Sequence, residues 1–202
     1  MVERLQWDSD FFGLRIGRID IVSNERWQIL LQEASSLQMH YDLIYVFSEQ
    51  ELQTDSNKVR LVDTKTIYVK SIDSSTTMPA TVEPYQESLP NADLYRLALV
   101  SGVCSRFRLD DSLPIDAYER MYRCWMERSL DGAMADLVLV HRTDDQIDGM
   151  ITLKIDADVA HIGLVAVDEG AQGRGIGTML IKAVEAYLQS NTTVRHLKVA
   201  TQ

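Results

Sequence analysis

Between residues 162 and 188 the chain passes from an unbroken apolar run, IGLVAV, through a polar stretch with glycines at 170, 173, 175 and 177, into a helical pattern. No other part of the sequence limits the fold as much. The run at 162–167 is short and bounded by polar residues, which fits a buried strand. Beyond the glycines, Ile176, Met179, Leu180, Ala183, Val184, Tyr187 and Leu188 recur at steps of three and one, the mark of an amphipathic helix. A further strand centred on LKVA follows at 197–200. A helix crossing from one strand to the next implies a largely parallel pair and an α/β architecture.

Glycine lets the backbone turn tightly and lets a bulky group approach the main chain. The first N–H groups of a helix lack intrahelical partners, and the helix dipole puts positive charge there. QGRGIG at 172–177 therefore reads as an anion cradle: Gly173 and Gly175 keep side chains away while peptide N–H groups converge on a phosphate or pyrophosphate. Arg174 either adds charge or points to solvent. A P-loop is excluded, because Gly177 is followed by Thr178 and Met179 rather than by lysine. A dinucleotide fingerprint fails too, since the spacing is G-x-G-x-G and the next strand carries His196 and Lys198 instead of an acid.

Upstream, alternation or apolar runs predict strands at 14–22, 42–47 and 66–70 around a helix at 27–39, a small α/β unit spanning 1–73. SIDSSTTMPA at 71–80 has no periodicity and is the linker candidate. A second unit over 80–202 begins with ATVEPY, followed by helices at 90–100 and 115–129 and strands at 136–140, 148–155 and 161–167. Their short connections favour antiparallel neighbours. The chain stops directly after its final strand, leaving an edge that nothing later covers, so the second unit is expected to be truncated at its C-terminal end.

A formal charge of −10 argues against extended polyanion binding, so no nucleic acid is expected. No apolar stretch approaches the ~20 residues that span a bilayer, and the acidic start MVERLQWDSD is no secretory signal. The expectation is a cytoplasmic protein with no membrane partner. Cys104 and Cys124 lack CxxC spacing and read as reduced thiols, and the four histidines show no ligand spacing, so no metal is expected.

QGRGIG also fits the Q/R-x-x-G-x-G/A signature of the GNAT superfamily of N-acetyltransferases, with Gln172, Gly175 and Gly177 in the diagnostic places. With WDSDFFG at 7–13, SRFRLD at 105–110, Tyr122 and Trp125 in the next helix, IGLVAV and the closing VATQ, the whole of 1–202 resembles the bacterial dTDP-fucosamine acetyltransferase type. The resemblance implies an α/β GNAT acyl-CoA N-acyltransferase fold with a mixed, mainly antiparallel central sheet, preceded by a small α/β N-terminal domain. It implies acetyl-CoA as co-substrate, lying between the strand at 162–167 and its neighbour at 196–200. Backbone of Leu164, Val165, Ala166 and Val167 would pair with the pantetheine arm. Gln172, Gly173, Arg174, Gly175, Ile176, Gly177 and Thr178 would take the pyrophosphate.

The chemistry so implied is direct attack by a primary amine on the acetyl thioester, with a main-chain N–H at Leu164 or Val165 as oxyanion donor. No protein nucleophile is needed. The proton donor to the leaving thiolate is often a tyrosine in a helix matching sequence beyond Gln202, so no catalytic side chain is named; His161 and Glu83 are candidate bases only. In an extended segment Arg106 and Arg108 would project to one side and Phe107 to the other. The two arginines would hold the phosphates of a nucleotide-linked dideoxy amino sugar, or else form a solvated loop pairing with Asp110 and Asp111. The expected partner is a small-molecule amine, with a homodimer allowed. The alternative function is a non-catalytic acyl-CoA-binding or regulatory module.

Overall fold

The structure, a computed structural model, describes residues 1–54, 59–72 and 76–201. Part of the expected linker, residues 73–75, and the terminal Gln202 lie outside the described residues. The chain packs as two units, Met1–Leu61 with Asp111–Pro114, and Val62–Asp110 with Ile115–Gln202.

In the first unit, β1 (Glu3–Arg4), α1 (Gln6–Phe12), β2 (Ile16–Ile21), α2 (Asn24–Leu37) and β3 (Leu43–Ser48) form a three-stranded sheet with one crossover helix. β2 and β3 run parallel because α2 spans between them, while β1 returns antiparallel. The Ser23 side chain accepts from the Arg26 N–H and starts α2. Ile19, Ile21, Trp27 and Leu30 form the unit's core, and the Trp27 indole N–H donates to the Gln53 carbonyl at 2.7 Å. The opening WDSDFF is helical, an element that periodicity over seven residues is too short to reveal.

The second unit holds β4 (Thr66–Ser71), β5 (Val82–Pro84), α3 (Ala92–Ser101), the short α4 (Arg106–Leu109), α5 (Ala117–Leu130), β6 (Leu137–Thr143), β7 (Gln146–Asp156), β8 (Val159–Val167), α6 (Ile176–Asn191) and β9 (His196–Thr201). Its six-stranded sheet has the order β4-β9-β8-β7-β6-β5. Only β8 and β9 are parallel, which gives the mixed, mainly antiparallel sheet expected. α6 packs on one face, where Ile151, Leu153, Ala160 and Ile162 meet Ile176, Leu180, Ala183, Val184 and Leu188 in one core. α3 and α5 pack on the other face, burying Leu94, Leu97, Ala98, Met121 and Met126.

One strand lies elsewhere than expected. Thr66–Ser71, predicted beside β2 and β3, runs antiparallel along the whole of β9, from Thr66 opposite Thr201 to Ser71 opposite His196. The outer edge of β9 is therefore covered, and six residues of backbone donors and acceptors find partners there. Lys70 of β4 also forms an ion pair with Glu185, a carboxylate buried on α6.

Candidate functional site

β8 is paired with β9 only from Val159 opposite His196 to Ile162 opposite Val199. Beyond Ile162 the described strands part, while β8 stays paired with β7 as far as Val167. Within that second pairing the register shifts: Ile151 faces Val165 and Leu153 faces Ile162, so Thr152 alone stands opposite Gly163 and Leu164. This is a bulge in β8. It changes the alternation, because Ala160 and Ile162 belong to the α6 core above it, and Val165 and Val167 pack against that core below it.

The direction of the backbone groups below the bulge follows from one bond. The Asp168 N–H donates to the Asp148 carbonyl at 2.8 Å. Alternation along an antiparallel pair then turns the main-chain groups of Ala166 and Leu164 toward β7, and those of Val165 and Val167 toward the gap left by β9. The Leu164 N–H is taken up accordingly, donating to the Thr152 hydroxyl at 2.8 Å. Of the two oxyanion donors expected, Leu164 is thus committed inside the sheet and Val165 faces the gap. The Val167 carbonyl accepts from the Gln172 amide at 3.3 Å, which ties the following loop to the strand.

That loop begins with a one-turn 3-10 segment, Glu169–Ala171, and reaches α6 through Gln172, Gly173, Arg174 and Gly175. Gly173 and Gly175 have φ of 77° and 82°, in the left-handed region that favours glycine. A Cβ at either would meet nothing within 4 Å, so the space beside the backbone is open. Gly177 needs no such φ. The first helical bond runs from the Met179 N–H to the Gly175 carbonyl, and no side chain caps α6. The N–H groups of Ile176, Gly177 and Thr178 are left without helical acceptors, and no acid occupies the first turn. The Arg174 guanidinium folds back to the Gly170 carbonyl at 3.0 Å.

Residues not singled out in the sequence hold this loop in place. One Asp168 carboxylate oxygen accepts from the Gly170 N–H at 2.9 Å, and the other pairs with Arg96 of α3. Arg96 also bonds Asp93 and the Ile147 carbonyl, while Asp93 accepts from the Ile147 N–H at 3.1 Å. The only hint in the sequence is DEG at 168–170, a turn in which the aspartate bonds the residue two positions on. Arg96→Gln is expected to loosen Asp168 and weaken the binding of pyrophosphate at this loop about threefold to tenfold, roughly 1 kcal/mol, as measured by calorimetry.

At the same end of the sheet, beside Asp168, lies a second bulge. His141 faces Gly149 and Arg142 faces Ile147, which leaves Asp148 as the extra residue. Its buried carboxylate meets His141 Nδ1 at 2.5 Å and accepts from the Thr143 hydroxyl at 2.6 Å. Burial pushes the Asp148 carboxyl up, but the hydrogen bonds from Thr143 and His141 outweigh it and hold the carboxyl below the ordinary carboxylate range. The Asp148 carbonyl is the same one that receives the Asp168 N–H.

The expected arginine pair is not brought together. SRFRLD forms α4 rather than an extended segment, and in a helix residues two apart point to different sides. Arg106 lies over the Phe107 ring at 4.4 Å, and Phe107 is buried edge-on to Trp125. Arg108 instead lines an open cleft of about 660 Å³ with Tyr95, Arg96, Leu99, Tyr118 and Arg123. Its guanidinium is 5.7 Å from the centre of the Tyr118 ring, whose hydroxyl donates to the Leu99 carbonyl. His161 is exposed on β8 above the bulge, and Glu83 of β5 pairs with Arg142 at 2.7 Å. Cys104 is exposed, and burial pushes the Cys124 thiol up, away from the reactive thiolate. Among the described residues no cluster of three or more metal-ligating side chains is present, and no helix is long and apolar enough to cross a membrane.

An unpaired strand edge leading into an uncapped helix start suits a molecule with an amide-bearing arm and a diphosphate. The edge offers the N–H and C=O of Val165 and the N–H of Val167, and the helix offers convergent N–H donors. Residues 104–202 match the family model of the acetyltransferase (GNAT) family. No curated protein matches the chain. Among solved structures, a GNAT family acetyltransferase from Elizabethkingia anophelis with acetyl-CoA bound is 22% identical over 55% of this chain and 57% of its own, with a TM-score of 0.38. A GCN5-related N-acetyltransferase from Sphaerobacter thermophilus is 18% identical over 68% and 42%, with a TM-score of 0.43. A tandem GNAT protein from the clavulanic acid biosynthesis pathway is 14% identical over 92% and 66%, with a TM-score of 0.49. The match thus spans little more than half of the first of these proteins and less than half of the second.

Proposed function

We propose that this chain, whose second unit has the GNAT fold, is an acetyl-CoA-dependent N-acetyltransferase acting on a small-molecule amine. The observation that carries the proposal is the parting of β8 from β9 directly upstream of an uncapped, glycine-led helix. Bound acetyl-CoA would supply an activated acyl thioester to the amine. The chain's own contribution is binding and alignment. N–H groups of Ile176, Gly177 and Thr178 hold the diphosphate at the positive end of α6. Val165 and Val167 hold the arm along the strand edge, and the Val165 N–H donates to the thioester oxygen as negative charge grows there.

For the acceptor we favour a nucleotide-linked dideoxy amino sugar. What supports this is Arg108, whose guanidinium and the neighbouring Tyr95, Tyr118 and Arg123 line a cleft suited to an anion carried on an apolar body. Arg108→Ala is expected to raise the KM for such an acceptor about tenfold while leaving acetyl-CoA affinity unchanged, in steady-state assays paired with calorimetry.

The direct test is calorimetry with acetyl-CoA followed by thiol release with a nucleotide-linked 4-amino-4,6-dideoxy sugar. Micromolar binding and acceptor-dependent thiol release are expected. A folded protein that ignores acetyl-CoA at millimolar concentration sinks the proposal. Binding without release of the coenzyme A thiol in the presence of any amine would instead assign an acyl-CoA-binding module.

A further inference from the structure

The bulge in β8 raises the question of what sets it. Thr152 is the one residue of β7 opposite Gly163 and Leu164, and it is 2% exposed. Its hydroxyl takes the Leu164 N–H at 2.8 Å, a bond buried from solvent. A Cβ on residue 163 would come within 2.8 Å of the same oxygen, so glycine is what lets the hydroxyl lie against the strand. A threonine side chain and a missing one opposite it thus make the irregularity together.

Its consequence is felt one residue further on. Val165 and Val167 pack against the α6 core, and Leu164 and Ala166 are buried outside that cluster. Sliding the strand by one residue into regular pairing would exchange those two sets of side chains and turn the Leu164 amide to the gap in place of Val165. The Thr152 hydroxyl opposes this slide by giving the Leu164 N–H an acceptor inside the sheet, where an unpaired donor is costly.

We propose that Thr152 is a positioning residue for acyl transfer: by holding the Leu164 amide inward through its hydroxyl, it makes the Val165 amide the one that meets the reacting carbonyl oxygen. This rests on the acetyltransferase proposal above and assigns a role on the β7 side of the same site. Thr152 acts through the strand and does not itself touch the co-substrate.

Thr152→Val removes the hydroxyl at nearly constant shape, and Thr152→Ser keeps it. In Thr152→Val the Leu164 amide should exchange with solvent about a hundredfold faster by NMR. Its kcat should fall about tenfold or more, with acetyl-CoA affinity within about threefold of wild type. Thr152→Ser should restore both the protection of the Leu164 amide and kcat. Gly163→Ala, which drives a Cβ against the hydroxyl, should reproduce the kcat loss with affinity kept, and it serves if Thr152→Val does not fold. A Thr152→Val protein with undiminished kcat, or with the Leu164 amide as protected as in wild type, overturns the proposal, as does a Thr152→Ser protein that behaves like the valine variant. A wild-type protein that binds no acetyl-CoA removes the acetyltransferase assignment instead, and leaves the exchange of Leu164 to report on the bulge alone.

Discussion

Gly175→Asp is expected to weaken coenzyme A binding by about a hundredfold or more, some 2.7 kcal/mol, with little change in folded stability. The two effects part because they arise from different features of one residue. Gly175 has φ of 82° and open space where a Cβ would go. Aspartate is among the few residues that tolerate the left-handed region, at a cost of roughly 1–2 kcal/mol. Set against that cost, its carboxylate would sit at the uncapped start of α6, next to unpaired N–H donors and the positive end of the dipole, which contributes about 1 kcal/mol in return. The same carboxylate would occupy the donors proposed to hold a diphosphate and would repel it. Calorimetry with coenzyme A and a thermal melt on one sample read both effects. Retained affinity in a folded Gly175→Asp protein would remove the diphosphate from this loop.

Asp148→Ala should destabilise the protein by about 3 kcal/mol, because it breaks a buried pair and leaves His141 Nδ1 and the Thr143 hydroxyl without their acceptor. For a chain of this size the melting temperature should drop by about 6–12 °C. The pH dependence has a definite sign. The folded Asp148 carboxyl lies below the ordinary carboxylate value, so its stabilisation is complete above pH ~4 and is lost as pH falls through the folded value. Urea titrations at stepped acidic pH should therefore show a steeper loss for wild type than for Asp148→Ala, the two curves converging at the acid end. Parallel curves would mean that the carboxylate is not the group responsible.

Periodic elements and the pairings of neighbouring strands are legible in this sequence, and the long-range pairing of β4 with β9 is not. The three-and-one spacing from Ile176 to Leu188 identifies α6, and the apolar run before it identifies β8, since both signals are local. The left-handed residues 173 and 175 are legible for the same reason, as glycines at a strand-to-helix junction. SRFRLD is misread because four residues carry too little periodicity to separate a single helical turn from an extended segment, and the supposed arginine pair fails with it. The site's supports are less legible: Arg96 reaches Asp168 across elements whose adjacency no spacing reveals, and Thr152 reaches Leu164 at a register shift that the predicted pairing of their strands does not locate. A partial signal does exist, because Gly149 and Gly163 are isolated glycines inside strands and each lies beside a bulge.

The pairing of β4 with β9 has a consequence for biosynthesis. Thr66 leaves the ribosome long before Thr201, its partner, and at ordinary elongation rates the wait is on the order of ten seconds. Throughout that interval Ile67, Tyr68 and Val69 form a β-prone segment with nothing to pair with, and Lys70 is the charge within the strand that discourages adhesion to other nascent chains. Closure of the second unit's sheet is thus deferred until β9 has been translated, and the high contact order of that pairing makes it the natural point for chaperone dependence.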